Sequence, residues 1–452
     1  MESYLQKNYY LDLRSLAVFR VGLGLVILRS LWTLAPYLDA FYGPNGLCPL
    51  SDPEIKKNLY YSLFALSDSR IFLVTVFSVF AFFALLLTFG LWTRVATAAC
   101  LLLQLSLINR GPMYLNHSYI VIKCFLMWGL FLPLGARFSL DSRLRREAQP
   151  MPLRYVSAAT VCLILQIAFI YISNGFEKSD ALWSQEYTAL HFALGSRAYG
   201  KPLATLLLPH YDLLRALCFL TLNMERYAFF LIALPFFPGL FRIFLIVAFT
   251  VFHIMIHLTM NVGWFSFAMI AGLSALVPSA VWDFFRKKKT LGDKYQKKYN
   301  ALFLLLALVF LQTFTQSNRA SFSKSKQPLP IKKMIASLGL RQRWNMFAPR
   351  PASISYTIYI YPIYQKVEGA AYPARMIPLE STKLRRCIKY LENLRNKKYR
   401  GLLYPKHLKA YLIREWNKKY PEEPVKDLEI IAREEYYQIK TMDYYFTGWV
   451  LL

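Results

Sequence analysis

Apolar runs of membrane-crossing length alternate with short polar segments along the first two thirds of the chain, and the last third abandons that pattern. At about 20 residues per crossing, the runs predict helices at 15–36, 71–92, 95–111, 118–135, 155–176, 212–237, 240–261, 263–285 and 300–316. The densest short basic segments between them are RFSLDSRLRREAQPMPLR (137–154) and RKKKTLGDKYQKKY (286–299). Both are expected on the cytoplasmic side, where Lys and Arg collect. Four runs precede the first basic segment and four separate it from the second, so the N-terminus is expected inside. The loop 37–70, the turn GPMYLNHS (111–118), the segment 177–211, the end of the seventh run near Asn261 and everything after residue 317 then share the outer side.

After residue 317 the sequence becomes charged and punctuated by Pro. SISYTIYIYPIY (353–364) and LEIIAREEYY (428–437) alternate as strands do, whereas STKLRRCIKYLENL and PKHLKAYLIREWNKKY have helical periodicity. The expected fold is therefore an all-α polytopic membrane protein of about nine transmembrane helices over residues 1–317. A small α+β extramembrane domain over residues 318–452 is expected to pack on the outer face.

Composition agrees, since 56 % of the 452 residues are hydrophobic and 16 % aromatic, too apolar for a soluble chain. A net charge of +28 would suit nucleic acid, but the Lys and Arg residues collect between apolar runs and in the C-terminal third, which is the signature of membrane topology. No nucleic-acid role is expected. The six Cys residues show no CxxC spacing, and Cys100, Cys124, Cys162 and Cys218 fall inside apolar runs, which argues against zinc. Cys48 and Cys387 both fall outside in this topology, where they either pair, if the compartment is oxidising, or remain two thiols. The N-terminal MESYLQKNYYLDLR has neither a basic leader nor a small-residue cleavage site, so the first run is expected to be retained.

Four groups of polar residues interrupt or border the apolar runs. Lys178, in YISNGFEKSDALW (171–183), ends the fifth run on the outer side. It either snorkels to headgroups or occupies a partly dry pocket in which its free amine is available as a base. Glu177 beside it opposes the second role unless it points to solvent. Asn116, His117, Ser118 and Tyr119 form an outer turn in which Asn116 or Ser118 caps a helix or His117 holds a hydrogen-bonding ligand. The formal glycosylation sequon there lies against the membrane. His253, His257 and Asn261 recur every four residues and are expected to share one helix face, toward a cavity or a neighbouring helix. HxxxH without the Glu of a HExxH site and without a third ligand does not make a metal centre. Asn223, Glu225 and Arg226 read as a structural ion-pair group, Arg14 and Arg20 as anchors or partners of a buried carboxylate, and Gly22 and Gly24 as close helix packing. His191 and His210 carry no informative spacing.

In order, DLRSLAVFRVGLG (12–24), FYGPNGL (41–47), NHSY (116–119), RFSLDS (137–142), YISNGFEKSDALW, the spacing of His253 and Gly263, and LRQRWNMFAPRP (340–351) resemble the membrane domain of vitamin K-dependent γ-carboxylase. They resemble equally its bacterial relatives, the horizontally transferred transmembrane (HTTM) domain family, in its short form. The resemblance implies that Lys178, in a G-x-x-K-x-x-x-x-W arrangement completed by Trp183, is the base that deprotonates reduced vitamin K or another quinol. Oxygen and carbon dioxide are the implied co-reactants, and carboxylation of an acceptor the implied outcome. Asn116, His117 and His253 match polar residues of the quinol pocket, with Tyr119, His257 and Asn261 as neighbours expected to line it. The carboxylase's large outer region has no counterpart in the roughly 130 residues that follow the last expected crossing, about one small domain.

The function expected from the sequence is a carboxylase-like, quinol-dependent membrane enzyme. The alternative is a non-catalytic membrane protein whose pocket binds a lipid or quinone, or whose helices support a partner complex. Membrane lipid, a quinone-type small molecule and an unidentified protein substrate are the expected partners. A bacterial plasma membrane, with the N-terminus cytoplasmic and the C-terminal domain outside, is the expected location.

Overall fold

The computed structural model of the chain describes residues 8–52, 62–111, 116–144, 153–196, 199–234, 236, 238–286, 295–298, 342–351, 354–363, 377–378, 404–422, 424–438 and 443–451. Its helices are α1 (Leu13–Leu34), α2 (Arg70–Phe89), α3 (Thr93–Arg110), α4 (His117–Gly129), α5 (Ala158–Glu177), α6 (Tyr211–Tyr227), α7 (Pro238–Thr259), α8 (Phe265–Ser274), α9 (Ser279–Arg286) and α10 (Tyr404–Lys419), with short helical turns between them.

Among the described residues, four stretches are long and apolar enough to cross a membrane: Leu13–Tyr42, Arg70–Phe89, Ala158–Glu177 and Pro238–Thr259. A fifth is added if α8 and α9, bent by 82° at the break between them, count as one. This is fewer than the nine expected. The runs 95–111 and 118–135 form the shorter helices α3 and α4, and 300–316 lies outside the described residues.

The run 212–237 departs most from expectation. Its α-helical part stops at Tyr227 and tight 3-10 turns, Ala228–Ala233, follow. The reason is amphipathicity: Leu214, Cys218, Leu222 and Glu225 form one buried stripe, while Asp212, Arg215 and Asn223 interrupt the rest of α6. The apolar character of that run came mostly from residues beyond Tyr227. α6 therefore lies against the segment 181–195, with Trp183, Ala189, Cys218 and Leu222 packed together. Its last turn meets the end of α5.

α5 is the most enclosed of the long helices. Ser157 and Thr160 start it with a reciprocal capping box. Buried arginines hold the turns around it: Arg20 donates to the carbonyls of Leu134 at 2.9 Å and Phe138 at 2.6 Å, and Arg110 to those of Cys48 at 2.6 Å, Phe64 at 3.1 Å and Tyr42 at 3.2 Å. Arg14 pairs with Asp12 at 2.7 Å and Asp283 at 3.2 Å. Asp141, within RFSLDS, accepts from the backbone N–H of both Trp92 and Thr93 at 2.8 Å and so caps α3 from a distance. Gly24 lets α1 approach α2, because a Cβ there would collide with Thr88.

Among the described residues there are two sheets. β1 (Leu11–Asp12) pairs antiparallel with β2 (Arg154–Ser157), which pairs in parallel with β3 (Tyr295–Lys298). β4 (Ile354–Ile363), β5 (Ile377–Pro378), β6 (Asp427–Gln438) and β7 (Asp443–Leu451) form an antiparallel sheet in the order β5-β4-β6-β7, with Ile354 opposite Tyr436 and Ile363 opposite Asp427. The two alternating segments of the tail are thus neighbours. STKLRRCIKYLENL lies outside the described residues, as does Cys387, while Cys48 is buried.

Candidate functional site

The spacing in YISNGFEK places Tyr171, Asn174 and Lys178 on one side of α5 and its terminus, because intervals of three and four residues return to the same helix face. Lys178 ends the helix and its side chain is only 4 % exposed, so it does not snorkel into headgroups. Its Nζ donates instead to Glu225 Oε2 at the far end of α6. Asn174 Nδ2 donates to both oxygens of the same carboxylate, at 3.1 and 3.2 Å. The Lys178 ammonium also sits 4.5 Å from the centre of the Trp183 ring, within reach of its negative face. Glu177 is buried as well, so the condition set for a base role of Lys178, that Glu177 point to solvent, is not met.

Arg226 locks this junction. Its Nε donates to Gly175 O at 2.8 Å and its Nη2 to Lys178 O at 2.9 Å, which satisfies carbonyls left open where α5 stops. Two charges withdrawn from water are tolerated only when paired and hydrogen-bonded, and Lys178 and Glu225 are both.

Deeper along α5, the Tyr171 hydroxyl and His253 Nε2 share a hydrogen bond at 2.6 Å. Phe249, Phe252 and Phe265 enclose the two rings. Two buried polar atoms on this line, His253 Nδ1 and Asn174 Oδ1, have no hydrogen-bond partner among the described residues.

The other expected site residues divide. Asn116 caps α4 by accepting from Ser118 N at 2.9 Å, and its amide abuts Gly263. The half-buried His117 ring lies 6.1 Å from that of Trp344. Tyr119 is buried and its carbonyl accepts from Gln104 at 3.1 Å. The stripe His253, His257, Asn261 does not stay on one face. His257 is half-buried against Phe267, with ring centres 4.6 Å apart, and Asn261 is exposed beyond the end of α7, its N–H given to Tyr199 O at 2.7 Å. Each four-residue step overshoots a full turn by about 40°, and the helix ends at Thr259 before the third member.

A segment of the tail covers these corners. Trp183 Nε1 donates to Phe347 O at 3.0 Å, Asp180 N to Pro349 O at 3.4 Å, and Phe347 packs edge-on against Tyr199. Phe347 holds a φ of 58°, a left-handed conformation that a bulky residue rarely adopts. Residues 342–351, the described part of LRQRWNMFAPRP, are thus a strap joining His117 to Trp183. The sequence reading took Glu225 for a structural ion pair and did not link it to Lys178. Tyr171 and Asn174 were passed over, although their spacing from Lys178 is legible in YISNGFEK.

A bundle of apolar helices with a buried lysine–carboxylate pair at the end of its central helix defines a membrane protein with an enclosed polar site. The chain belongs to the HTTM domain family: the model of that domain matches residues 8–282, which include Lys178, Glu225, Asn116 and His253. The HTTM domain is a membrane domain of the carboxylase family. No curated protein and no solved structure matches the chain.

Proposed function

We propose that this protein is a carboxylase-like membrane enzyme in which Lys178 is the general base toward a reduced quinone, with oxygen and carbon dioxide as co-reactants and an acceptor of unknown identity. The observation that carries this reading is the enclosure of Lys178. A lysine serving only as a membrane boundary gains nothing from being withdrawn from water and set over Trp183 beside a carboxylate. Reduced vitamin K or a related quinol fits the unpartnered His253 Nδ1, which offers its phenolic hydroxyl a donor or an acceptor according to tautomer. Asn116, His117, Tyr119 and Trp183 are the further residues assigned to orienting it. When bound, the quinol supplies an acidic hydroxyl and an oxidisable ring; the chain supplies the proton acceptor and a dry setting.

The finer topology belongs to the same proposal. It has about nine crossings, the N-terminus cytoplasmic, the domain 318–452 on the outer face, and a bacterial plasma membrane as its setting. The test is oxygen-dependent oxidation or epoxidation of naphthohydroquinone in nanodiscs by wild type and Lys178→Ala, both shown to be folded. Turnover lost in the variant is the expected result; no turnover by the wild type with several quinols would overturn the reading.

One observation favours a second reading. Glu225 already neutralises Lys178, as in a purely structural ion pair. A non-catalytic lipid or quinone binder, or a scaffold for a partner, would keep that pair without turnover, and saturable quinone binding with no product formation would identify it.

A further inference from the structure

An ammonium held by a carboxylate cannot accept a proton, so Lys178 in its pair with Glu225 is not yet a base. We propose that Glu225 is the residue that unmasks it: seating an apolar quinone-type ring in the site moves one proton from Lys178 to Glu225, leaving a free amine only while the ring is bound. The inference rests on the quinone-site reading above and adds Glu225 and Asn174 to it as working residues.

The step is a proton swap within one hydrogen bond. The Lys178 N–H bond breaks, an O–H bond forms on Glu225 Oε2, the nitrogen keeps its electron pair, and the pair stays neutral overall. What changes is charge separation. An ammonium and a carboxylate are favoured while water or polar groups solvate them, and removing that solvation favours the neutral amine and acid. A ring seated over the pair, whose side chains keep 4 and 5 % exposure, removes that remaining contact with water.

The surroundings suit both forms. In the ionic form Asn174 Nδ2 donates to both carboxylate oxygens. In the neutral form the new Glu225 hydroxyl points back at Nζ, and the amine is free only when that hydroxyl turns to another acceptor; Asn174 Oδ1 is a buried acceptor with no hydrogen-bond partner among the described residues. A half-turn of that amide exchanges the donor for the acceptor. The single Asn side chain therefore serves Glu225 in either protonation state. The other titratable or charged groups around the pair are Glu177 and Asp180 beside Lys178, Tyr171 on α5, and Cys218 and Arg226 on α6. Arg226 is engaged with main-chain carbonyls and leaves the carboxylate to Lys178.

The test uses an oxidised quinone, menadione, which has no hydroxyl proton to give, so the ligand is not the source of any proton that reaches Glu225, and dependence on Lys178 separates transfer within the pair from uptake from water. Infrared difference spectra of the full chain in nanodiscs are taken with and without menadione. The expected result is a protonated-carboxyl C=O band that appears on binding, shifts when the protein carries 13C-labelled glutamate, and is absent in Glu225→Gln and Lys178→Gln. The glutamate label keeps the test valid if either variant fails to fold. Menadione binding, seen by quenching of tryptophan fluorescence, with no new carboxyl band would overturn the proton swap and leave the quinone site standing. No menadione binding by the wild type would overturn the quinone site and the swap with it.

Discussion

Gln166 and Gln342 exchange two hydrogen bonds, Nε2 of each donating to Oε1 of the other at 2.8 and 3.1 Å. Both are buried, and Trp128 and Trp344 donate their indole N–H groups to the same two oxygens at 3.3 and 3.2 Å. Gln166 lies about 16 Å along α5 from its end, at 1.5 Å per residue. The tail strap therefore does not merely rest on the helix ends. It enters the bundle and is fixed there by a closed amide pair.

The two halves of that pair should be coupled. Gln342→Ala takes the acceptor from Gln166 Nε2 and from the Trp344 indole N–H and is expected to destabilise by about 1–3 kcal/mol. Replacing both glutamines by Ala also takes the acceptor from Trp128 but loses the bonds between the glutamines only once. The double variant should therefore lose more than either single variant and less than their sum. Thermal unfolding of the two single variants and the double variant in detergent measures the coupling. Strictly additive effects would show that the two side chains do not depend on each other.

Trp183 links the strap to the lysine. Trp183→Phe keeps a ring beneath the Lys178 ammonium but deletes the N–H that holds Phe347 O. The loss of one buried hydrogen bond is expected to destabilise by about 1–2 kcal/mol. Amide hydrogen exchange should rise at Phe347 and Ala348 while the centre of α5 stays protected. Unchanged exchange in the strap would mean that the hydrogen bond is not what holds it.

Gly263 is expected to tolerate no side chain. Its φ of 65° is a left-handed conformation, and a Cβ there would run into Asn116 Nδ2. Gly263→Ala should lower stability by about 1–2 kcal/mol from backbone strain, and should in addition displace the cap of α4. The double variant Gly263→Ala/Asn116→Ala separates the two terms: the collision disappears and the strain remains. Equal melting temperatures for wild type and Gly263→Ala would refute the close approach.

The sequence made local features legible and distant pairings invisible. The long runs of α1, α2, α5 and α7 announce themselves by composition, and Asn116 by its place before α4, because both signals lie within one helix or its first turn. Glu225 was seen but not joined to Lys178. Their 47-residue separation passes through short helices whose turns no periodicity predicts. Gln166 and Gln342 stand 176 residues apart, and a lone Gln within an apolar run carries no sign of its partner. α6 was misread for a different reason: the apolar turns that follow it made one long hydrophobic window out of two elements.

His191, which the sequence left without a role, is expected to supply an acid-sensitive element in the segment between α5 and α6. It is 1 % exposed in the short helix Ala189–Gly195, and its ring centre lies 4.9 Å from that of Tyr211. Burial pushes its pKa below the ordinary value of 6.5, since the charged imidazolium is poorly solvated there. The unfolded chain then binds the proton more readily than the folded one. The stability owed to neutral His191 is complete above the unfolded value and declines as the pH falls through 6.5 toward the lower folded value. Unfolding midpoints measured between about pH 8 and pH 5 should therefore fall for the wild type and fall less for His191→Phe, which keeps an aromatic ring against Tyr211 without a titrating group. Parallel curves for the two proteins would place the acid sensitivity elsewhere.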